Sequence, residues 1–346
     1  MKKSIMNEFY VQPITSIQLD PTSRCNARCP MCPRNYKSSL DTHPALVEAE
    51  MGIDELREAL THPWFAGVDN VLINGNYGDI VMHSDPRGLI EMLKSLSNMK
   101  TINIYTNGGA QSTEFWSWLG QQGVYVEFGI DGLETTHSLY RRNTRWDIVM
   151  RNAEAYIQAG GYAGWSMIVF RHNEHQVMRC QNLAKVMGFA QFKAKPTTRF
   201  SGSSLPVLDR NYEVEYELEP ATVLKHTSST VTETDCIRCK VQQDPAHCYI
   251  AHDMRLWPCC WMQIHTEVAH RNNQNPSFVD HFWNHRDLDP EFNSLRKYSV
   301  DEVLASGLFN DIATSWSGQA FDACERFCSA NSRMNQQYEQ TNTKVF

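Results

Sequence analysis

The sequence has no apolar run approaching the roughly 20 residues of a membrane-spanning helix. Its start, Met1-Lys2-Lys3-Ser4-Ile5, carries charge, but no apolar stretch follows. A secretory signal is therefore not expected, and a cytoplasmic chain is. Positive charge is in short supply: 32 Lys and Arg stand against 39 Asp and Glu, a net charge of −7. That balance disfavours broad, non-specific nucleic-acid binding. No internal repeat stands out. Residues 236–346 lack long periodic elements, and small loop-rich folds of that kind usually need a metal staple.

Against these absences stand 346 residues, enough for a full core and an appended domain. Hydrophobic content of 42% and charged content of 21% suit an ordinary globular protein. Cysteine is abundant, with 11 residues. Without an export signal these read as metal ligands rather than disulfides. Cys180 stands apart from the rest in a helical stretch and reads as a buried thiol.

Apolar strand patterns alternate with helical ones from residue 14 to about 196. Strands are expected near 14–20, 69–74, 101–106, 124–130, 163–170 and 190–195. Helices are expected near 53–61, 86–97, 112–122, 145–159 and 174–187. Ser84-Asp85-Pro86 and Gln111-Ser112-Thr113 look like helix caps. This is an α/β chain with a parallel sheet, and a partial barrel or a doubly wound sheet fits the pattern. In either, ligands gather at the carboxyl ends of the strands.

Directly after the first strand lies Cys25-Asn-Ala-Arg-Cys29-Pro-Met31-Cys32, a CxxxCxxC loop. Three thiolates at this spacing can hold an iron–sulfur cubane and leave one iron open to a chelating molecule. Alone, the motif also fits a zinc loop or a ferredoxin fragment. Placed after the first strand of a β/α chain, it resembles the radical S-adenosylmethionine (SAM) superfamily, with Met31 where an aromatic residue is usual. The resemblance implies a partial (β/α)6 TIM-like barrel and a 4Fe–4S cluster on Cys25, Cys29 and Cys32. It also implies that SAM occupies the open iron and is cleaved reductively to a 5′-deoxyadenosyl radical.

By the same resemblance, Gly78-Asp79 after the second strand matches the family's motif for the SAM amino group, with Asp in place of Glu. A tight turn is the other reading of this stretch. Thr106-Asn107-Gly108 matches a segment near the ribose or methionine part of SAM, and equally an Asn-Gly turn. Phe128-Gly129-Ile130-Asp131-Gly132 resembles Ser-x-Asp-Gly with glycine replacing serine. Arg141 matches an arginine that binds the SAM carboxylate, a role suited to a guanidinium fork, or is a solvated side chain. Asn173 is expected as a helix N-cap. Arg199 is a candidate for an anionic substrate group. No catalytic acid or base is assigned.

A second cysteine field runs Cys236, Cys239, Cys248, Cys259, Cys260, Cys324 and Cys328. It resembles the SPASM and twitch domains appended to radical SAM enzymes, with Asp253-Met254 where Asp-Gly turns a hairpin. At least one auxiliary 4Fe–4S cluster is expected, on Cys239, Cys260, Cys324 and Cys328, with Cys259, Cys236 and Cys248 in reserve. A structural zinc knuckle is the alternative.

The implied organisation is a barrel over residues 1–200, a connection over 201–235, and a cysteine-rich SPASM/twitch-like domain over 236–346 with a mobile tail. The implied activity is hydrogen abstraction from a small molecule, peptide or nucleotide, with flavodoxin or ferredoxin as electron donor. The barrel begins by about residue 14, so no leader-peptide module is expected before it. A non-catalytic iron–sulfur or zinc scaffold is the competing reading.

Overall fold

The structure, a computed structural model, describes residues 9–10, 12–197, 199–200, 202–222, 237–242, 246–264, 289, 291–318 and 320–329. Cys236, the Thr227–Thr230 stretch and the tail after Arg333 lie outside them.

Six strands follow in chain order: β1 (Ser16–Leu19), β2 (Asn70–Ile73), β3 (Thr101–Thr106), β4 (Tyr125–Gly129), β5 (Tyr162–Val169) and β6 (Gln191–Pro196). Each pairs in parallel with the next. Between them run α1 (Ile53–Leu60), α2 (Pro86–Ser95), α3 (Thr113–Gly120), α4 (His137–Tyr140), α5 (Trp146–Gln158) and α6 (Val177–Met187). From β1 to β6 the strand order never reverses, unlike a doubly wound sheet, which has its switch point among such strands. The fold is mixed α/β on a mostly parallel sheet, consistent with a TIM-like partial barrel.

The expected caps form. The Asp85 side chain accepts from Gly88 N at 2.8 Å, with Pro86 in the first turn, and Ser112 accepts from Phe115 N at 3.4 Å. Such a cap contributes about 1 kcal/mol. Strand alternation then sorts the side chains. Ile17, Leu19, Val71, Ile73, Ile102, Ile104, Val126 and Phe128 join the core with helix residues such as Leu89, Leu93 and Trp116. The opposite register is polar: Tyr105, Glu127, Ser166 and Lys195 line a cavity.

Beyond residue 200 the structure departs from a plain connection. β7 (Leu205–Leu208) and β8 (Val214–Leu218) form an antiparallel hairpin. Its second strand falls on an acidic, strand-like stretch, Glu213 to Leu218. β9 (His247–Ile250) then pairs in parallel with the free edge of β1, and β10 (Leu256–Trp257) pairs antiparallel with β9. Among the described residues the barrel sheet therefore has eight strands, ordered β10-β9-β1-β2-β3-β4-β5-β6. The turn between β9 and β10 keeps the geometry a glycine would give: Met254 has φ of 65°. Its side chain is buried, which offsets the backbone strain. Three short helices, Val300–Ala305, Leu308–Ser315 and Asp322–Cys328, complete the described chain. Leu308, Phe309 and Phe327 share one core with Ile17 and Leu19, so the C-terminal third is built onto the barrel.

Candidate active site

Asp20 and Pro21 end β1, and the cysteine loop follows under tight restraint. Arg34 donates to the Ser23 carbonyl and pairs with Glu48 at 2.7 Å. Asn35 Nδ2 donates to the Cys29 carbonyl at 2.8 Å, and Cys32 N to the same carbonyl at 3.0 Å. Arg28 N donates to Arg142 O at 2.8 Å, tying the loop to the segment after α4. The β7–β8 hairpin packs over this loop: Val207 and Leu218 form a small core with Ala27, Cys29, Tyr140 and Phe170. Arg142 reaches across to Glu215 and to the Leu208 carbonyl. The expected connection is thus a cover over the cysteines.

Cys25, Cys29 and Cys32 line one cavity of about 540 Å³ at the carboxyl end of the sheet. Asn107 Nδ2 approaches Cys25 Sγ at 3.7 Å, and Arg141 Nη1 approaches Cys29 Sγ at 4.0 Å. Burial pushes all three thiols up, that of Cys29 to about 11. Three buried thiols with amide and guanidinium donors beside the sulfurs suit a thiolate-held cluster, whose metal displaces the protons.

Gly78 and Asp79 sit in the turn after β2, at the cavity wall. A Cβ on Gly78 would overlap the Thr22 carbonyl, so glycine lets this turn close on the cysteine loop. The Asp79 carboxylate, expected from sequence to face a ligand's ammonium, is bonded here by the chain's own donors. Its Oδ1 accepts from Val81 N at 3.2 Å and Thr106 Oγ1 at 2.8 Å. Its Oδ2 accepts from Asn107 N and Asn107 Nδ2, each at 2.7 Å. Four donors occupy a group with about four acceptor sites. Asp79 therefore clamps the β2 and β3 turns together, and Thr106 and Asn107 are its partners. Gly108 has φ of 66°, so the Asn-Gly turn and the cavity wall are the same structure.

Arg141 is held in place rather than solvated. Its Nε donates to Asp131 Oδ2 at 2.6 Å, and Asp131 is fully buried. A Cβ on Gly129 would overlap the guanidinium. Burial opposes its charge, but Asp131 and Cys29 more than offset that and raise its pKa. Asp131 also accepts from Ile168 N at 2.5 Å. Asn173 is not a side-chain cap: its Oδ1 accepts from Phe170 N at 2.8 Å and its Nδ2 donates to Ile168 O at 3.0 Å. Arg199 donates to the Met31 carbonyl at 3.0 Å and lines the cavity.

The second cysteine field divides. An antiparallel bridge joins Ile237 to Ser329, and Arg238 N donates to Cys328 O at 2.8 Å. This sets the Cys239 and Cys328 thiols in hydrogen-bond contact, and the shared proton leaves one of the pair readily ionised. The Cys259 thiol is driven up by burial and feels Cys260, Cys328 and Cys324. Burial raises the Cys260 thiol to about 12, with a hydrogen bond from Gln18 opposing and Asp20 adding to the rise. Cys259, a reserve ligand on sequence grounds, thus feels the other cysteines of this field, and Cys260 also feels Asp20. Cys248 lies within β9, paired with Ile17 in the sheet, and is fully buried. Cys180 is likewise buried in α6. Among the described residues no three His, Cys, Asp or Glu side chains close on a point the size of one metal ion. A cubane has a wider ligand cage.

Asn76 carries the contact between the two cysteine fields, and no sequence signal singles it out. Its Nδ2 donates to the Cys260 carbonyl at 3.0 Å, and to Gln263 Oε1 at 2.7 Å, while its backbone N donates to Asp20 Oδ2 at 3.1 Å. The rings of Trp261 and Phe327 stack at 3.9 Å between centroids, and both line the cavity.

Residues 19–182 match the family model described as the radical SAM superfamily. Among solved structures, Streptococcus suis SuiB is similar at 13% identity, over 87% of this chain and 68% of SuiB, with a TM-score of 0.57. SuiB bound to its precursor peptide SuiA aligns at 10% identity over 91% and 76%, with a TM-score of 0.53. Native anSMEcpe with bound AdoMet aligns at 14% identity over 94% and 96%, with a TM-score of 0.55. At these identities the likeness is one of fold. No curated protein sequence matches the chain. Among the described residues no helix is long and apolar enough to cross a membrane.

Proposed function

We propose that this chain, with its radical SAM domain, is an enzyme that cleaves SAM reductively and takes a hydrogen from a substrate held in the same cavity. The observation that carries the reading is the convergence of Cys25, Cys29 and Cys32 with Arg141, Asn107 and the Gly78 turn on one cavity. Cys25, Cys29 and Cys32 would hold the cluster. When bound, the cluster with SAM supplies a 5′-deoxyadenosyl radical that abstracts a hydrogen atom from an unactivated carbon.

The chain's own residues orient and enclose. Arg141, locked by Asp131, presents its remaining guanidinium donors to the SAM carboxylate. Backbone groups of the Gly78 turn would take the SAM ammonium, with Asp79 holding that turn in place. Asn107 steadies the loop through Cys25 and Asn26. The β7–β8 hairpin excludes water from the cysteine loop. A second cluster would sit on Cys239, Cys259, Cys324 and Cys328 in a SPASM/twitch-like arrangement. It would accept or relay the substrate's electron, or brace the fold. Flavodoxin or ferredoxin would deliver the first electron in the cytoplasm. The substrate is a small molecule, peptide or nucleotide, and neighbours with bound peptides, the SuiB–SuiA complex among them, speak for a peptide.

Anaerobically reconstituted protein incubated with SAM and dithionite should release 5′-deoxyadenosine. Protein with a full iron complement that releases none would return the chain to the scaffold reading.

A further inference from the structure

The barrel interior is unlike the packed apolar lumen usual for barrels, which branched side chains fill. Inward positions on the last three strands carry Tyr125 and Glu127 on β4, Ser166 and Ile168 on β5, and Lys193 and Lys195 on β6. The register sets Lys193 beside Ser166 and Lys195 beside Ile168, one pleat nearer the mouth. Charges in this lumen are matched unevenly. Lys193 Nζ bonds Glu127 Oε2 at 2.7 Å, and Tyr125 Oη donates to the same oxygen at 3.1 Å. Arg141 is matched by Asp131. Lys195 has no carboxylate in contact among the described residues, and neither does Arg199. Both line the cavity that the three cysteines share.

An ammonium placed in a partly buried lumen without a counterion carries a desolvation cost. Burial does lower the Lys195 pKa, with Glu127 opposing. An anion arriving in the cavity would remove that cost. A lysine that served only as a surface solubiliser would not stand on an inward register beside Ile168.

We propose that Lys195, with Arg199 at the rim, forms an oxyanion subsite for the substrate, which therefore bears a carboxylate or a phosphate. This rests on the reading of the cavity as a radical SAM site and narrows its substrate class. The subsite lies on β6 and the segment after it, whereas the Gly78 turn and Asn107 follow β2 and β3, three or more strands away in the sheet order. It thus holds one end of the substrate away from the turns that would hold SAM. Lys195 determines specificity and touches no bond that breaks.

The test is anaerobic calorimetry on the reconstituted protein with SAM already bound, so that the Arg141 side is filled. Three probes are titrated: inorganic phosphate, glutarate, and the neutral glutaramide. At least one oxyanion should bind about tenfold or more tightly than glutaramide, and the ratio of phosphate to glutarate identifies the group. Lys195→Met should weaken that oxyanion about tenfold or more, and Lys195→Arg should restore most of it. Equal binding of glutaramide and the oxyanions would overturn the proposal. So would a Lys195→Met protein that binds the oxyanion as the parent does, or one that loses SAM affinity instead. Release of 5′-deoxyadenosine by the unaltered protein is scored separately, so failure of the radical SAM reading and failure of the subsite are told apart.

Discussion

The guanidinium of Arg141 occupies the space where a side chain on residue 129 would begin. The glycine at the end of β4 and the arginine after α4 are therefore one feature. Arg141 reaches Asp131 and Cys29 together only because Gly129 has no Cβ.

Gly129→Ser is expected to push the flexible end of Arg141 off its seat while leaving the backbone in place. SAM affinity should fall about tenfold, the scale of one charge-assisted hydrogen bond. Iron content should stay at the parent level. Calorimetric SAM binding and an iron assay on the same sample check this, and unchanged affinity would mean that Arg141 works from another position.

Asp79→Asn should do more damage than a ligand contact would. Whichever way the amide is turned, its nitrogen would face a backbone N–H, that of Val81 or that of Asn107. A loss of about 2–4 kcal/mol in unfolding free energy is expected, along with weaker SAM binding. Denaturant unfolding measures the first, and a variant as stable as the parent would restore the simple ligand role expected from sequence.

Neighbouring cysteines should separate cleanly. In a Cys25/Cys29/Cys32→Ala background, Cys259→Ala should lose about four irons, the content of one cubane, and its absorption band. Cys260→Ala should keep them. The reverse pattern would reinstate the ligand set read from sequence.

His137 gives a pH dependence that owes nothing to the cysteines. Its Nδ1 accepts from Asp131 N at 3.2 Å and its Nε2 lies 3.0 Å from Thr144 Oγ1. Burial holds its pKa down to about 4, with the Asp131 carboxylate opposing and Arg141 adding to the fall. The unfolded chain binds a proton near pH 6.5 that the folded one refuses until about 4. This contribution to stability is complete above the unfolded pKa and is lost as pH falls toward the folded one, by up to about 3 kcal/mol. His137→Asn, which keeps an acceptor for Asp131 N, should flatten that part of the stability curve between about pH 4.5 and 6.5. Matching slopes in parent and variant would rule it out.

The six barrel strands were legible because Ile17 and Leu19 alternate with polar neighbours, Val71-Leu72-Ile73 makes a short apolar run, and capping residues such as Asp85 punctuate the helices. The cysteine loop was legible because its spacing is local. What escaped were relations between distant segments. Cys259 and Cys260 are adjacent in sequence, yet residues 260–264 wind as a helix, where successive side chains point about 100° apart. Adjacency alone does not say which thiol joins Cys324. Asp79 reads as a ligand because the motif fixes its place and not its neighbours. Lys195 passes for ordinary strand polarity, although the Lys193-x-Lys195 spacing itself signals two charges on one face.

The pairing of β9 with β1 sets a timetable for biosynthesis. The partner of Leu19 is Ile250, most of the chain away. At about 5–20 residues per second, β1 leaves the ribosome tens of seconds before the strand that closes its free edge. Through that interval the strand leading into Cys25 presents unpaired backbone groups, a template for wrong partners.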